Sequence, residues 1–335
     1  MKALVTGATG FLGRSIVRRL QREGITVRAL VRPGRAEDGL GAERCEGDIC
    51  DDASVSAAVR GMDWVVHAAA RVETTGTWEA FAEANIRATR RVIRTARAAG
   101  VRRIVHISSL SVYAVPQDGV TLTEDSPYES ESDARGFYSR YKLAADRIAL
   151  FEAAHGAPVV VLRPGLLYGP GRRPPLARQS FAALGFRLIL ATRRYTLPLA
   201  YVDNVADAVL LAASGSEVGQ AFTIVDENVR QDAYVAMYRD ASGQTLRPVF
   251  LPVGAIKTAA RVLETGFRLL RRRSPVTYHQ VRRATDSAWY DCTRAERQLG
   301  WRPAVGVREG LQRAFASLAG PSGDIGAAAM VGSLT

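Results

Sequence analysis

Lysine is nearly absent from this chain. Lys2, Lys142 and Lys257 are the only lysines among 45 basic residues, so the formal charge of +12 rests almost entirely on arginine. Arginine keeps its proton at any working pH while lysine can give it up when its surroundings require, which makes each retained lysine a marked position. Cysteine is also scarce. Cys45, Cys50 and Cys292 are odd in number and fit neither a disulfide framework nor a metal site, which points to a reducing compartment and no bound metal. No apolar run approaches the roughly 18 residues of a membrane span, and the first strand-like segment begins at residue 2, which leaves no room for a signal peptide. The expectation is a soluble, cytoplasmic protein. Aromatic residues make up 7% of the chain and do not interleave the arginines as they do in nucleic-acid-binding sheets. The positive charge is therefore not read as a nucleic-acid footprint.

What is present is an ordinary globular balance, 47% hydrophobic and 23% charged over 335 residues. That length is long for one domain, and one domain with a smaller appended lobe is expected. The chain is organised around TGATGFLG at residues 6 to 13. Ala3, Leu4 and Val5 before it read as a buried strand; Ile16, Val17 and Leu20 after it recur at helical spacing among arginines. Gly7 then allows a tight turn, Gly10 a close backbone approach to a pyrophosphate, and Gly13 close packing of helix on strand. The phosphates would rest on free N–H groups at the helix N-terminus. The chain is read as a dinucleotide-dependent enzyme.

Ile25 to Val31 reads as a second strand closing a right-handed unit. An acidic residue about 20 positions past the glycines would bond an adenosine ribose. Here the strand ends in Arg32, with Arg35 close behind and no carboxylate before Glu37, so Arg32 is expected to meet the 2′-phosphate of NADP, favoured over NAD. Trp64 to His67 is a strand leading into Ala68, Ala69 and Ala70, small residues that leave room for a flat ligand; His67 is read as a core residue. Residues 78 to 99 carry a long amphipathic helix. Ile104 to Ile107 is a strand ending in Ser108 and Ser109, and the acidic loop from Pro116 to Asp133 reads as solvated. A helix from Phe137 through Leu150 places Tyr138 and Lys142 four residues apart on one face.

With these motifs the chain resembles the extended branch of the short-chain dehydrogenase/reductase superfamily, the NAD-dependent epimerase/dehydratase and 3-beta-hydroxysteroid dehydrogenase-like enzymes. The resemblance runs to about residue 318. It rests on TGATGFLG, GDI at 47 to 49, VVHAAA at 65 to 70, SSLSVY at 108 to 113, YSRYK at 138 to 142, RPGLLYGPG at 163 to 171, YVDNVADA at 201 to 208 and LGWRP at 299 to 303. It implies an α/β fold, a Rossmann-type doubly wound parallel sheet with a smaller C-terminal substrate lobe. Residues 1–168 and 199–226 would bind the dinucleotide, 169–198 and 227–318 the substrate, and 319–335 would be a disordered tail. It also implies Ser109, Tyr138 and Lys142 as the catalytic set. Cofactor contacts would come from Gly7, Thr9, Gly10, Phe11, Leu12, Gly13, Arg32, Asp48, Ile49, Ala68, Ala69, Ala70, Asn85, Tyr138, Lys142, Pro164, Gly165 and Leu166. Asn85 has a second reading as a polar helix residue bonding neighbouring backbone.

Further along, Val159 to Leu162 is a buried strand, and the segment from Pro170 to Thr196 is expected to hold an arginine-flanked apolar helix. Leu199 to Ala213 is expected to return to the sheet pattern with Asp203 as a helix N-cap, and Ala221 to Val225 to close the cofactor sheet. Dehydratases of the family carry an acidic pair directly after the catalytic Ser or Thr. Here Leu110 and Ser111 stand there, so dehydration lacks its acid and base. What remains is NAD(P)-dependent epimerisation or redox chemistry on a secondary alcohol or ketone. A nucleotide sugar, clamped by arginines such as Arg172, Arg173, Arg193 and Arg194, is slightly ahead of a lipid-like or sterol-like alcohol or ketone. A dinucleotide-binding sensor is the third reading, and a homodimer is compatible with all three. Ala255 to Arg273 forms a basic amphipathic helix of the kind that lies on anionic membranes, although such a helix more often packs on its own lobe.

Overall fold

Strands buried on both faces of a parallel sheet read as short, largely apolar runs, and six such runs assemble here beside one polar, largely exposed edge strand, ERCE at 43 to 46. The computed structural model describes residues 1–34, 39–71, 77–114, 119–129, 137–176, 180–183, 186–189, 192–250, 252–270, 272, 274 and 277–319. Its strands are β1 (Lys2–Thr6), β2 (Thr26–Val31), β3 (Glu43–Glu46), β4 (Trp64–His67), β5 (Arg103–Ile107), β6 (Thr121–Leu122), β7 (Val159–Pro164) and β8 (Leu166–Tyr168). They continue as β9 (Ser180–Ala183), β10 (Phe186–Ile189), β11 (Thr196–Tyr201), β12 (Ala221–Ile224), β13 (Glu227–Arg230), β14 (Pro248–Phe250) and β15 (Trp289–Tyr290). The helices are α1 (Phe11–Arg22), α2 (Asp52–Val59), α3 (Trp78–Phe81), α4 (Ala88–Ala98), α5 (Phe137–Ala154), α6 (Val202–Ser214), α7 (Gln231–Ser242), α8 (Val253–Leu269), α9 (Tyr278–Thr285) and α10 (Val307–Leu318).

The main sheet has the order β12-β7-β5-β4-β1-β2-β3, and every pairing in it is parallel. Successive side chains point to opposite faces. Ala3 and Val5 thus join Ile16, Val17 and Leu20 of α1 and Val205 and Val209 of α6 in one core, while Leu4 joins Val55 of α2, Val92 and Ile93 of α4 and Ala149 of α5 in the other. The order of connection reverses between β1 and β4. A crevice opens beyond the carboxyl ends of the strands at such a reversal, and it is walled by the glycine turn after β1 and the alanines after β4.

The long helix expected over 78 to 99 is interrupted. Between α3 and α4 lies a π-helical turn, Ala82–Arg87, a feature that widens the helix and recurs at functional sites. Asn85 is buried in it.

Four expectations need correction. The apolar helix placed between Pro170 and Thr196 is not formed: β9 and β10 pair antiparallel, and β10 pairs with β14. β9 and β10 span four residues each, and the pairing with β14, remote in the chain, gives the stretch a sheet in place of a helix. Second, β11 does not return to the cofactor sheet. It joins β8 and β13 in a separate three-stranded sheet whose core includes Tyr168, Leu197, Tyr201, Tyr234 and Leu311. Third, α6 starts at Val202, directly off β11, so Tyr201 is the N-cap and no side chain caps it. Asp203 instead sits in the first helical turn, where its charge favours the helix dipole. Fourth, the acidic loop is not simply solvated. In its described part Glu129 is buried, and Glu124 accepts from the Thr223 N–H at 2.7 Å and faces Arg294. Arg35, Glu37, and residues 115–118, 130–136 and 320–335, with the expected tail, lie outside the described residues.

The C-terminal LGWRP segment is locked onto α6. The buried Asn204 side chain donates to Val305 O at 2.9 Å and accepts from the N–H groups of Ala304 and Val305, both at 3.1 Å. Its own carbonyl accepts from the Trp301 indole at 2.9 Å.

Candidate active site

The glycine turn is built by backbone meeting backbone. Gly7 has φ +74°, and a Cβ there would stand 2.7 Å from Ala69 N; a Cβ on Gly13 would stand 2.0 Å from Gly7 O. Neither position tolerates a side chain, so helix, turn and the loop after β4 come closer than any other residue allows. α1 begins with no side-chain cap and no acidic residue in its first turn. The first-turn N–H groups, which have no partner within the helix, thus meet neither a side-chain cap nor a competing carboxylate, the arrangement that a pyrophosphate requires. The cradle fits a dinucleotide.

A buried relay fixes the opposite wall. Thr89 Oγ1 donates to Asn85 O at 2.6 Å, so it accepts from His67 Nε2 at 3.0 Å. His67 Nδ1 in turn accepts from Thr6 Oγ1 at 2.8 Å. Burial and the nearby Lys142 charge push the His67 pKa down to about 3, so the ring stays neutral and holds this tautomer. The core reading of His67 stands. Asn85 spends its amide on the Arg71 backbone, accepting from Arg71 N at 2.7 Å and donating to Arg71 O at 3.2 Å. This is the backbone-bonding alternative, and it holds the loop of Ala68, Ala69 and Ala70 in place.

The helix α5 carries the remaining groups. Tyr138, 43% exposed, lies in its first turn; Lys142 follows one turn on, buried, with Nζ donating to Ile107 O at 2.9 Å. Burial lowers the Lys142 pKa to about 8, with Asp146 opposing the shift. Ser109 caps the short turn Leu110–Val112, its Oγ accepting from Ser111 N at 3.2 Å, which leaves its hydroxyl proton available to a ligand oxygen. Ser109 and Tyr138 line one cavity of about 470 Å³ with Leu110, Ser111, Pro164, Gly165, Leu166, Leu167, Arg172, Arg173, Tyr195, Leu197 and Tyr290.

One further turn along α5 is Asp146, which sequence reasoning missed. It is fully buried against Arg163 of β7, with Nε–Oδ1 at 3.1 Å and Nη2–Oδ2 at 2.8 Å. Arg163 also donates to Tyr113 OH at 2.9 Å and to Tyr128 OH, and Tyr128 OH donates to Asp146 Oδ2 at 3.0 Å. The signal was present in the spacing: Tyr138, Lys142 and Asp146 repeat at i, i+4, i+8. This cluster ties the tyrosine helix to the strand that leads into Pro164 and to the segment that follows Ser109.

The other expected cofactor residues lie around the crevice. Thr9, Phe11 and Leu12 belong to the glycine turn and the start of α1, and Arg14 Nε donates to Thr9 O at 3.2 Å. Arg32 stands exposed just past β2. Asp48 and Ile49 follow β3, Asp48 Oδ1 accepting from Cys50 N at 2.8 Å. Gly165 is packed so tightly that a Cβ would stand 2.4 Å from Pro198 O. Among the described residues no group of His, Cys, Asp or Glu is arranged to hold a metal ion.

Fold and site together define an NAD-dependent oxidoreductase or epimerase of the extended short-chain dehydrogenase/reductase type. The model of the NAD dependent epimerase/dehydratase family matches residues 3–225, and the chain belongs to that family. It is 32% identical to the 2-alkyl-3-oxoalkanoate reductase of Stenotrophomonas maltophilia, over 95% of this chain and 100% of that protein. Among solved structures it is similar to gox2253, with a TM-score of 0.81 and 26% identity over 94% of this chain and 97% of the other. It is also similar to MoeE5 in complex with UDP-glucuronic acid and NAD, with a TM-score of 0.71 and 26% identity over 95% and 98% of the two chains.

The Arg163–Asp146 pair yields a stability prediction. Asp146→Ala leaves a buried guanidinium without its counter-charge and is expected to lower the unfolding free energy by about 3–5 kcal/mol. Urea unfolding followed by circular dichroism measures it; a loss under about 1 kcal/mol would mean that the tyrosines alone hold Arg163.

Proposed function

We propose that the enzyme interconverts a ketone and a secondary alcohol, with Tyr138 as the proton donor and acceptor, on a substrate whose apolar body carries an anionic group. The observation that carries this reading is the single cavity wall shared by Ser109, Tyr138 and Pro164–Leu166. A nicotinamide cofactor, when bound, supplies or accepts the hydride. Gly7, Gly10, Gly13 and the alanines after β4 would hold it, with Lys142 and Pro164–Leu166 near its reactive end. In the reductive direction Tyr138 gives its proton to the carbonyl oxygen, which Ser109 fixes by donating its hydroxyl hydrogen. A free phenol near pKa 10 is a poor base at neutral pH, and the Lys142 ammonium one helical turn away favours the phenolate. Of the three lysines that this arginine-rich chain retains, Lys142 is the one for which this reading has a use as a titratable cation.

The cavity speaks to the substrate class. Leu110, Leu166, Leu167 and Leu197 offer an apolar wall, while Arg172 and Arg173 bring two guanidiniums to it; neither has a carboxylate partner among the described residues. The name of the Stenotrophomonas relative describes a ketone two carbons from a carboxylate on an alkyl body, and that is the chemistry such walls suit. A nucleotide sugar is the second reading, favoured by the same arginine pair as a diphosphate clamp and by the likeness to MoeE5. Leu110 and Ser111 supply no carboxylate, which disfavours dehydration.

Three outcomes test the reading. Tyr138→Phe is expected to bind cofactor as wild type while turnover falls at least about a hundredfold; in the wild type, a reductase consumes NAD(P)H in proportion to product, whereas an epimerase converts substrate with no net consumption. Turnover surviving in Tyr138→Phe would remove the tyrosine from the chemistry. The second concerns pH. Below about 8 Lys142 holds its proton and favours the phenolate left as Tyr138 gives up its own; above about 8 that charge is lost. Reductive kcat/KM should be level on the acid side and fall about tenfold per pH unit above it, and Lys142→Arg, which does not titrate there, should lack this limb. Third, we propose NADP as the preferred cofactor through Arg32. Arg32→Ala should raise KM for NADPH at least about tenfold, the loss of one charge-assisted contact, and leave KM for NADH within about twofold.

A further inference from the structure

Helix α8 lies outside the chemistry of the cavity and leaves an apolar side uncovered. Ala255, Ala259, Val262, Gly266 and Leu269 succeed one another at steps of three or four and so share one face. Val262 is 67% exposed, Leu263 40%, Leu269 80% and Leu270 71%. The opposite side packs inward through Val253 and Ala260, which are buried, and Ile256 and Phe267, which are half-buried. At 17 residues the helix is about 25 Å long, and among the described residues no helix is long and apolar enough to cross a membrane.

The charge in this stretch of the sequence is predominantly positive. From residue 253 to 273 the sequence carries Lys257, Arg261, Arg268, Arg271, Arg272 and Arg273 against the single acid Glu264. Glu264 is turned inward, accepting from the Tyr278 N–H at 2.8 Å. Lys257 is paired with Asp286, and Arg261 lies 4.1 Å over the Tyr278 ring. Arg268 and Arg272 stand exposed beside the leucines. An exposed leucine face bordered by arginine fits one kind of surface, apolar below and negative above.

We propose that α8 docks the enzyme on an anionic lipid surface, with Val262, Leu269 and Leu270 entering the acyl boundary and Arg268 and Arg272 meeting the headgroups. A second copy of the chain is disfavoured as the occupant, because two such faces would bring like charges together. Neither the cavity nor its tyrosine enters this proposal.

The test uses the full chain in vesicle flotation, with phosphatidylcholine alone and with phosphatidylcholine containing phosphatidylglycerol. Wild-type protein is expected to float with the anionic vesicles at low salt and to bind at least about tenfold more weakly at 1 M salt, where the screening length shrinks to about 3 Å. The doubly substituted Leu269→Glu, Leu270→Glu protein should lose flotation while keeping its circular dichroism and turnover on a soluble substrate; the two leucines are solvent-facing, so folding is not at stake. Arg268→Ala with Arg272→Ala should weaken binding to anionic vesicles only. Failure of wild-type protein to bind anionic vesicles overturns the proposal, as does unchanged binding of the leucine variant. A concentration-dependent dimer in sedimentation that the leucine variant abolishes would assign the face to a second copy and overturn it equally.

Discussion

A guanidinium sealed from water with its carboxylate is the constraint on which the rest of this site depends. Arg163 is 1% exposed and Asp146 not at all. Desolvating such a pair costs several kcal/mol per ion, and the arrangement is tolerable only because every arm is bonded: two contacts to Asp146, one each to Tyr113 and Tyr128, and both phenol rings within about 5 Å of the cation, at 5.1 and 5.2 Å. A buried ion pair is poor evidence for stability and better evidence for specification. Here it specifies the relative placement of α5, β7 and the segment after Ser109, the three pieces from which the cavity wall is made.

The second constraint is steric. Gly7, Gly13 and Gly165 each stand where a single carbon would collide with backbone, so the crevice has the width it has because three side chains are missing. Between these contacts runs the neutral His67 relay, which converts the position of the glycine turn into that of the π-helical turn through Thr6, His67, Thr89 and Asn85. One wall of the crevice is thereby referenced to the other without any charge.

The parts legible in the sequence are those in which local chemistry and fold agree. TGATGFLG announces its turn because glycine has no other reason to recur there, and the Tyr138 and Lys142 pair is visible because helical spacing puts it on one face. The parallel sheet, its polar edge strand β3 apart, followed from apolar runs of strand length. The β9–β10 pairing was not legible, since the run FAALGFRLILA at 181 to 191 is long enough to read as a helix and β14, the further partner of β10, lies some 60 residues away in the chain. Nor was the placement of β11, whose alternation is that of any half-buried strand. Asp146 and Arg163 look like surface charges in a chain so rich in arginine; the spacing puts Asp146 on the face of Tyr138 and Lys142, but only tertiary packing reveals its pairing with Arg163. Asn85 carried two readings because the sequence cannot say which way a helical amide points, and the widened turn around it has no sequence mark.

The clasp between Asn204 and residues 301 to 305 has a consequence for how the chain matures. Trp301 belongs to the same core as Val205 and Val209 of α6 and Ile16 of α1, and its indole bond to Asn204 spans 97 residues. Until that segment has emerged from the ribosome, the Asn204 amide lacks its bonds to residues 304 and 305, and the part of α6 that Trp301 covers stays open. A chain stopped short of Trp301 would therefore expose an apolar seam along α6 that the complete chain closes.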